Sequence, residues 1–293
     1  MQVDIFKKAK KEFRNISGLM LIHGILPYIL IFACTYFLRF LPIPFFGAYQ
    51  ITIVLSYLIP MFVTALIVVL GNICLTPSFK GLSKKVGSIG KYMVFLLGMN
   101  FFCSILYTFI QWFFSAVHGP SSSGIQMLFT GNLLFDSLII LYIVLLGPLL
   151  EEILFRGILL RTLDKYHRVF AILISSMLFA MMHMNLQQGF TTFFIGCFLA
   201  YVSLKENSMR IPIILHMLNN LIALAMSVSF LSVFCLIGMF ACFVGMIYLL
   251  QKKGENVFHL FKQEYCTYKY GKMFFTRWTT ILYILFFILQ IYI

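Results

Sequence analysis

The chain of 293 residues contains nine acidic residues. Two of them, Glu151 and Glu152, stand side by side behind Gly147-Pro148 at the end of a long apolar stretch. An ionisable group at membrane depth costs roughly 2.5–3.5 kcal/mol on insertion scales, so its presence there asks for a reason. On a helix, Glu152 and Arg156 are i,i+4 neighbours and can form a charge-assisted pair. Glu151 lies about 100° around the axis and points elsewhere. One carboxylate is then held by its arginine, and the other is left for general base chemistry. A second element is Phe179-Ala-Met-Met-His183, which puts an aromatic ring one turn before an imidazole. A third is His216-Met-Leu-Asn219-Asn220, in which His216 and Asn220 share a helix face. An imidazole beside a carboxamide can donate hydrogen bonds to the oxyanion that develops in acyl chemistry.

Each element, taken singly, also fits a structural role. A histidine near a membrane interface can be a packed side chain, and an Asn219-Asn220 pair can bond neighbouring helices. His23, His118, His167 and His259 fall near span ends or in loops and receive no role, and Asp136 is read as structural or unassigned. The seven cysteines are scattered without a C-x-x-C pair and read as small core residues.

What must position these groups is a membrane bundle. Hydrophobic residues make up 61% of the chain and charged residues 11%, and mean hydropathy is +0.97. A soluble fold of this length cannot hide that much apolar surface. An outer-membrane barrel would need ten-residue alternating segments, whereas the apolar runs here are unbroken over about 20 residues. The fold class is therefore all-α, a polytopic transmembrane helical bundle of about eight core spans plus a possible ninth at the C-terminus. Spans are placed near 18–38, 50–72, 92–114, 132–150, 169–186, 190–204, 211–227, 229–250 and 276–293. The segments are a basic N-terminal stretch (1–17), a membrane core (18–250) with the chemistry within 130–250, a basic interfacial linker (251–275) and the last span. The N-terminal basic stretch precedes an apolar run too long for a cleavable leader and is read as retained.

The net charge of +13 does not imply a nucleic-acid partner, because the charges alternate between connections. The stretches 76–91, 156–168, 205–210 and 251–277 are basic, and the others are nearly uncharged. With the N-terminus in the cytoplasm, every Lys and Arg except Arg39 falls on the cytoplasmic side, as the positive-inside rule requires. The linker, with Lys252, Lys262 and Lys269 among Phe258, Phe261 and Tyr268, reads as a segment held by anionic lipid. The expected location is a bilayer, a bacterial plasma membrane by the Ile-, Phe-, Lys- and Tyr-rich composition.

Read in order, Glu151-Glu152-x-x-x-Arg156, Phe179-x-x-x-His183 and His216-x-x-x-Asn220 resemble the motif set of the CPBP family, the CAAX-processing and bacteriocin-processing intramembrane proteases, also called Abi, which include Rce1-type CAAX endopeptidases. The resemblance covers roughly residues 130–250. It implies an eight-helix core whose cavity opens toward the cytoplasm and the membrane. It further implies that Glu151 with His183 activates water, that His216 and Asn220 stabilise the oxyanion, and that Glu152 and Arg156 support them, with Phe179 at the substrate. The last span lies outside that core. Two His and a Glu also form a complete catalytic zinc set, Glu151, His183 and His216. No H-E-x-x-H motif is present, and the metal-free reading is preferred, with zinc as the alternative cofactor. Since Glu151 and His216 fall near span ends and His183 well inside its span, a pocket sunk from the cytoplasmic face is expected.

The expected activity is endoproteolysis of a membrane-associated peptide or protein, CAAX-like or a bacteriocin or leader peptide. The alternatives are a non-catalytic immunity protein that binds a peptide, and a small transporter in which Glu151 and Glu152 carry protons or cations.

Overall fold

The computed structural model describes residues 2–40, 45–70, 89–118, 132–253 and 264–292. The basic connection around Lys80, Lys84 and Lys85, the loop 119–124, and Phe258, His259 and Phe261 of the linker lie outside the described residues. Among the described residues every regular element is a helix: α1 (Gln2–Leu38), α2 (Phe45–Leu70), α3 (Ile89–His118), α4 (Leu133–Asp164), α5 (Arg168–Met182), α6 (Leu186–Lys205), α7 (Arg210–Met226), α8 (Ser229–Lys253), α9 (Glu264–Phe275) and α10 (Trp278–Tyr292). Among the described residues four helices are long and apolar enough to cross a membrane: Ile5–Leu38, Ile89–Phe113, Leu133–Asp164 and Ser229–Lys252. The pair α9 and α10, bent by 74°, makes a fifth if counted as one span. The helices α5 and α7 are apolar but shorter. The expectation of a membrane helical bundle holds, while a count of eight or nine spans is finer than these lengths support.

Two boundaries differ from the sequence reading in ways that matter for the site. The span expected at 132–150 does not stop at the glutamates; α4 continues to Asp164, so Glu151 sits mid-helix. The residues after Glu152, Ile-Leu-Phe-Arg, offer no breaker, and Pro148 is absorbed by winding: Tyr142–Leu146 and Ile153–Leu160 form π-turns on either side of it. Proline has no N–H to give the preceding turn. The wider π-turn lets the Gly147 N–H reach the Tyr142 carbonyl instead. Such π-turns are frequent at functional sites. The span expected at 169–186 ends early, with α5 closing at Met182. Met184 takes a left-handed φ of 49°, and the Asn185 side chain caps the Gln188 N–H at the start of α6. His183 is thus the residue that closes α5, and α6 is longer than the expected 190–204.

The basic ends of several helices gather at one end of the bundle. Tyr166, in the turn after α4, donates to Glu12 of α1 at 2.8 Å, and Lys165 lies 3.7 Å from the same carboxylate. Arg161 of α4 donates to the Ser203 carbonyl near the end of α6 at 3.0 Å. Tyr92 at the start of α3 bonds Glu206, which follows α6. Beneath them lies an aromatic cluster in which Phe13 of α1 meets Tyr166, Phe170, Tyr270 and Phe274. This cluster belongs to a core that continues through Phe155, Leu178 and Phe179. A second core joins α3, α6, α7 and α8 through Leu96, Phe198, Leu199, Leu215 and Met239. The approach of α3 to α8 depends on Gly98, whose absent Cβ would lie 2.7 Å from the Cys242 carbonyl oxygen and 2.9 Å from the Phe243 Cα.

The C-terminal helices, which the sequence set apart from the 18–250 core, pack into it. Phe274 and Tyr283 are fully buried in the same cluster as Phe13, and Ser17 of α1 shares a 2.5 Å hydrogen bond with Thr279 of α10. Phe13→Ala is expected to remove about 3–5 kcal/mol from the bundle, read as a lower thermal transition in detergent. An unchanged transition contradicts the account of this core.

Candidate functional site

Helix α4 supplies two carboxylates with different surroundings. Glu152 is fully buried, and its Oε2 lies 3.1 Å from the Nε of Arg156, itself only 1% exposed. The guanidinium is fixed on three sides: by Glu152, by the Gly196 carbonyl of α6, which accepts from Nη2 at 3.3 Å, and by the Phe179 ring, 4.4 Å from Cζ to centroid. Gly196 makes this possible, because a Cβ there would sit 3.2 Å from both Phe179 and Ser176. A buried charge is stable only with such compensation. Glu151, one residue earlier, turns into a cavity of about 520 Å³.

Helix α7 brings His216 between the two glutamates. Its Nδ1 donates to Glu152 Oε1 at 2.9 Å, and its Nε2 lies 3.7 Å from Glu151 Oε2. The same helix carries Asn220, whose Nδ2 donates to the Ile143 carbonyl at 2.9 Å. An amide nitrogen has two protons, so a second donor remains at Asn220. At the end of α5, His183 Nδ1 donates to the Phe179 carbonyl at 2.9 Å. A carbonyl can only accept, which places the proton on Nδ1 and leaves Nε2 as an acceptor. The Phe179 ring stands edge-on to both imidazoles, 5.1 Å from His183 and 5.7 Å from His216.

The residues singled out in the sequence are therefore brought together. Glu151, Phe179, His183, His216 and Asn220 all line the cavity, while Glu152 and Arg156 lie behind it as a buried support. One pairing departs from the resemblance. The imidazole in reach of Glu151 is His216, and His216 is engaged by both carboxylates, an arrangement set by the depth of α7 against α4. Among the described residues no group of three His, Cys, Asp or Glu side chains is placed as a metal site.

The cavity also lies elsewhere than expected. It is not sunk from the basic end, which the Phe13 cluster fills. It occupies the other side of Glu151, lined on α4 by Ile139 to Glu151 and on α1 by His23 to Ile31. Two contributors were missed, His23 and Asn100. His23 is buried on the cavity wall and bonded to Thr64 at 3.0 Å. Asn100 of α3 donates to Asn219 of α7 at 3.0 Å, and both amides face the cavity. The signal for Asn100 was present, a lone amide within Leu-Leu-Gly-Met-Asn-Phe-Phe.

Arg156→Ala leaves Glu152 buried without its cation and is expected to cost about 3–5 kcal/mol. The double variant Glu152→Gln/Arg156→Met should recover most of that loss in a thermal melt, and a double variant no more stable than Arg156→Ala contradicts the pairing.

No curated protein and no solved structure matches the chain. Residues 132–222 match the family model described as type II CAAX prenyl endopeptidase Rce1-like, and that segment holds every motif residue from Glu151 to Asn220. The site is thus carried by a segment similar to the Rce1-like endopeptidases of the CPBP family, the family its motifs resemble.

Proposed function

We propose that the chain is an intramembrane endopeptidase that hydrolyses a peptide bond in a membrane-associated peptide or protein, using water activated by Glu151 without a metal. The observation that carries this reading is the Glu151–His216–Glu152 arrangement at the wall of a cavity, within a segment that matches a protease family. The Glu151 carboxylate takes a proton from a water molecule as the water oxygen attacks the scissile carbonyl carbon. His183, with Nδ1 tied to Phe179, offers Nε2 to orient that water. The remaining Nδ2 proton of Asn220 faces the oxygen on which negative charge develops. Glu151 then returns the proton to the leaving amine as the C–N bond breaks. His216, held through Nδ1 by Glu152, stands with its Nε2 3.7 Å from the Glu151 carboxylate and lines the cavity beside it. Glu152 and Arg156 are positioning residues, since both lie behind the cavity wall.

The family match supports a peptide substrate, and so does the cavity, whose described lining around Glu151 combines imidazoles, amides, hydroxyls and apolar groups. A CAAX-like C-terminus or a bacteriocin or leader peptide meets that description.

Cleavage of a membrane-associated peptide by the purified, detergent-solubilised protein tests the reading. Glu151→Gln is expected to lower the rate by about 10²–10⁴, and Asn220→Ala by about 10²–10³, with thermal transitions near that of the wild type. Chelator should leave the rate unchanged. Equal processing by wild type and Glu151→Gln ends the enzyme reading, and loss with chelator restored by zinc ends the metal-free one. Affinity for the peptide with no product from any variant would identify a binding protein instead.

A further inference from the structure

The position of the cavity relative to the charged end of the bundle fixes the side from which a substrate enters. Five pieces of chain place basic residues at one end: the start of α1 (Lys7, Lys8, Lys10, Lys11 and Arg14), the start of α3 (Lys91), the α4–α5 turn (Lys165, Arg168), the α6–α7 turn (Lys205, Arg210) and α9 (Lys269, Lys272). Direct contacts tie these pieces together, Glu12 to Tyr166, Arg161 to Ser203, Tyr92 to Glu206, and Phe13 to Tyr270. They belong to one face of the bundle and not to scattered loops. In a membrane, Lys- and Arg-rich connections of short length stay on the cytoplasmic side.

The cavity extends the other way. On α1 its wall runs from His23 to Ile31, roughly 16 to 29 Å along the helix beyond Glu12 at 1.5 Å per residue. On α4 it runs only toward the N-terminus from Glu151. Those of its lining residues that are exposed, Tyr28, Ile31, Gln188 and Ala223, all belong to the charge-poor half, Gln188 in the first turn of α6 and Ala223 in the last turn of α7. On the basic side the passage from Glu151 is closed by Glu152, Arg156, Phe155 and the Phe13, Phe170 and Phe274 rings of the aromatic cluster, all buried.

We infer that the cleft opens on the extracytoplasmic side, so that this chain acts on a peptide reaching Glu151 from the outer face or the outer half of the bilayer. This rests on the Glu151 cavity being the reaction site, and it is opposite to the cytoplasmic opening that the family resemblance implies. The occupant is an uncharged, extended or amphipathic stretch of a secreted or membrane-anchored peptide. The amides of Asn100 and Asn219 and the hydroxyls of Thr191 and Thr192 along the wall offer its backbone hydrogen-bonding partners.

Side-specific labelling decides it. In a chain whose seven native cysteines are replaced by Ser or Ala, single cysteines are placed at Gln188 (Gln188→Cys) and at Lys8 (Lys8→Cys). A membrane-impermeant maleimide is then applied to intact cells. Gln188→Cys is expected to label in intact cells, and Lys8→Cys only after permeabilisation. Protection of Gln188→Cys until the cells are opened overturns the inference. Should the cysteine-free chain fail to fold, an epitope inserted between Val228 and Ser229 of the otherwise unchanged chain is read with antibody in the same way, against an N-terminal epitope. Because labelling needs no turnover, it is independent of the peptidase reading. Correct labelling with no cleavage by vesicles presenting the Gln188 side to added peptide would sink that reading and leave the topology standing.

Discussion

A carboxylate and a guanidinium buried side by side in a membrane bundle set the terms for everything around them. Glu152 and Arg156 have almost no exposure, and each would be costly there alone. Their neutralisation consumes the Gly196 carbonyl, one nitrogen of His216 and the face of Phe179. These partners come from α6, α7 and α5, so a single pair on α4 fixes three further helices. The result is a rigid wall from which Glu151, free of the arginine, faces a cavity. The different surroundings of the adjacent glutamates are a consequence of helix geometry, because neighbours in sequence point about 100° apart.

The fold supports that wall from both ends. On the basic side, the Phe13 cluster knits α1 to the α4–α5 turn and to the bent C-terminal pair, so the last helices form part of the scaffold. On the other side, α5 ends early at His183 and a left-handed turn at Met184 leads into α6, so that His183, Met184 and Gln188 all reach the cavity wall. The π-turns around Gly147-Pro148 shift the register of α4 where Glu151 must face inward.

Much of this was legible in the sequence, and the reasons are particular. The Glu152–Arg156 pair followed from i,i+4 spacing, and the inward set of Glu151, His183, His216 and Asn220 followed from the expense of polar groups in apolar runs. The helical class followed from hydropathy alone. What was not legible was length and depth. A span-length rule ended α4 at 150 because hydropathy falls at the glutamates, whereas the helix continues wherever its charges are paired internally. The same rule carried α5 past His183, since a left-handed Met184 has no signature in composition. With both depths misread, the cavity was assigned to the wrong end. His23 and Asn100 were passed over as single residues, because nothing in a linear chain tells which helix will be their neighbour.

The central claim is that Glu151 and His216, from different helices, act as one hydrolytic unit. A double-mutant cycle on the peptide-cleavage rate, comparing Glu151→Gln, His216→Ala and the pair, tests it most directly, because groups that act together are strongly non-additive. The account predicts that the double variant is no slower than the slower single variant. Losses that multiply, as for independent groups, would contradict it.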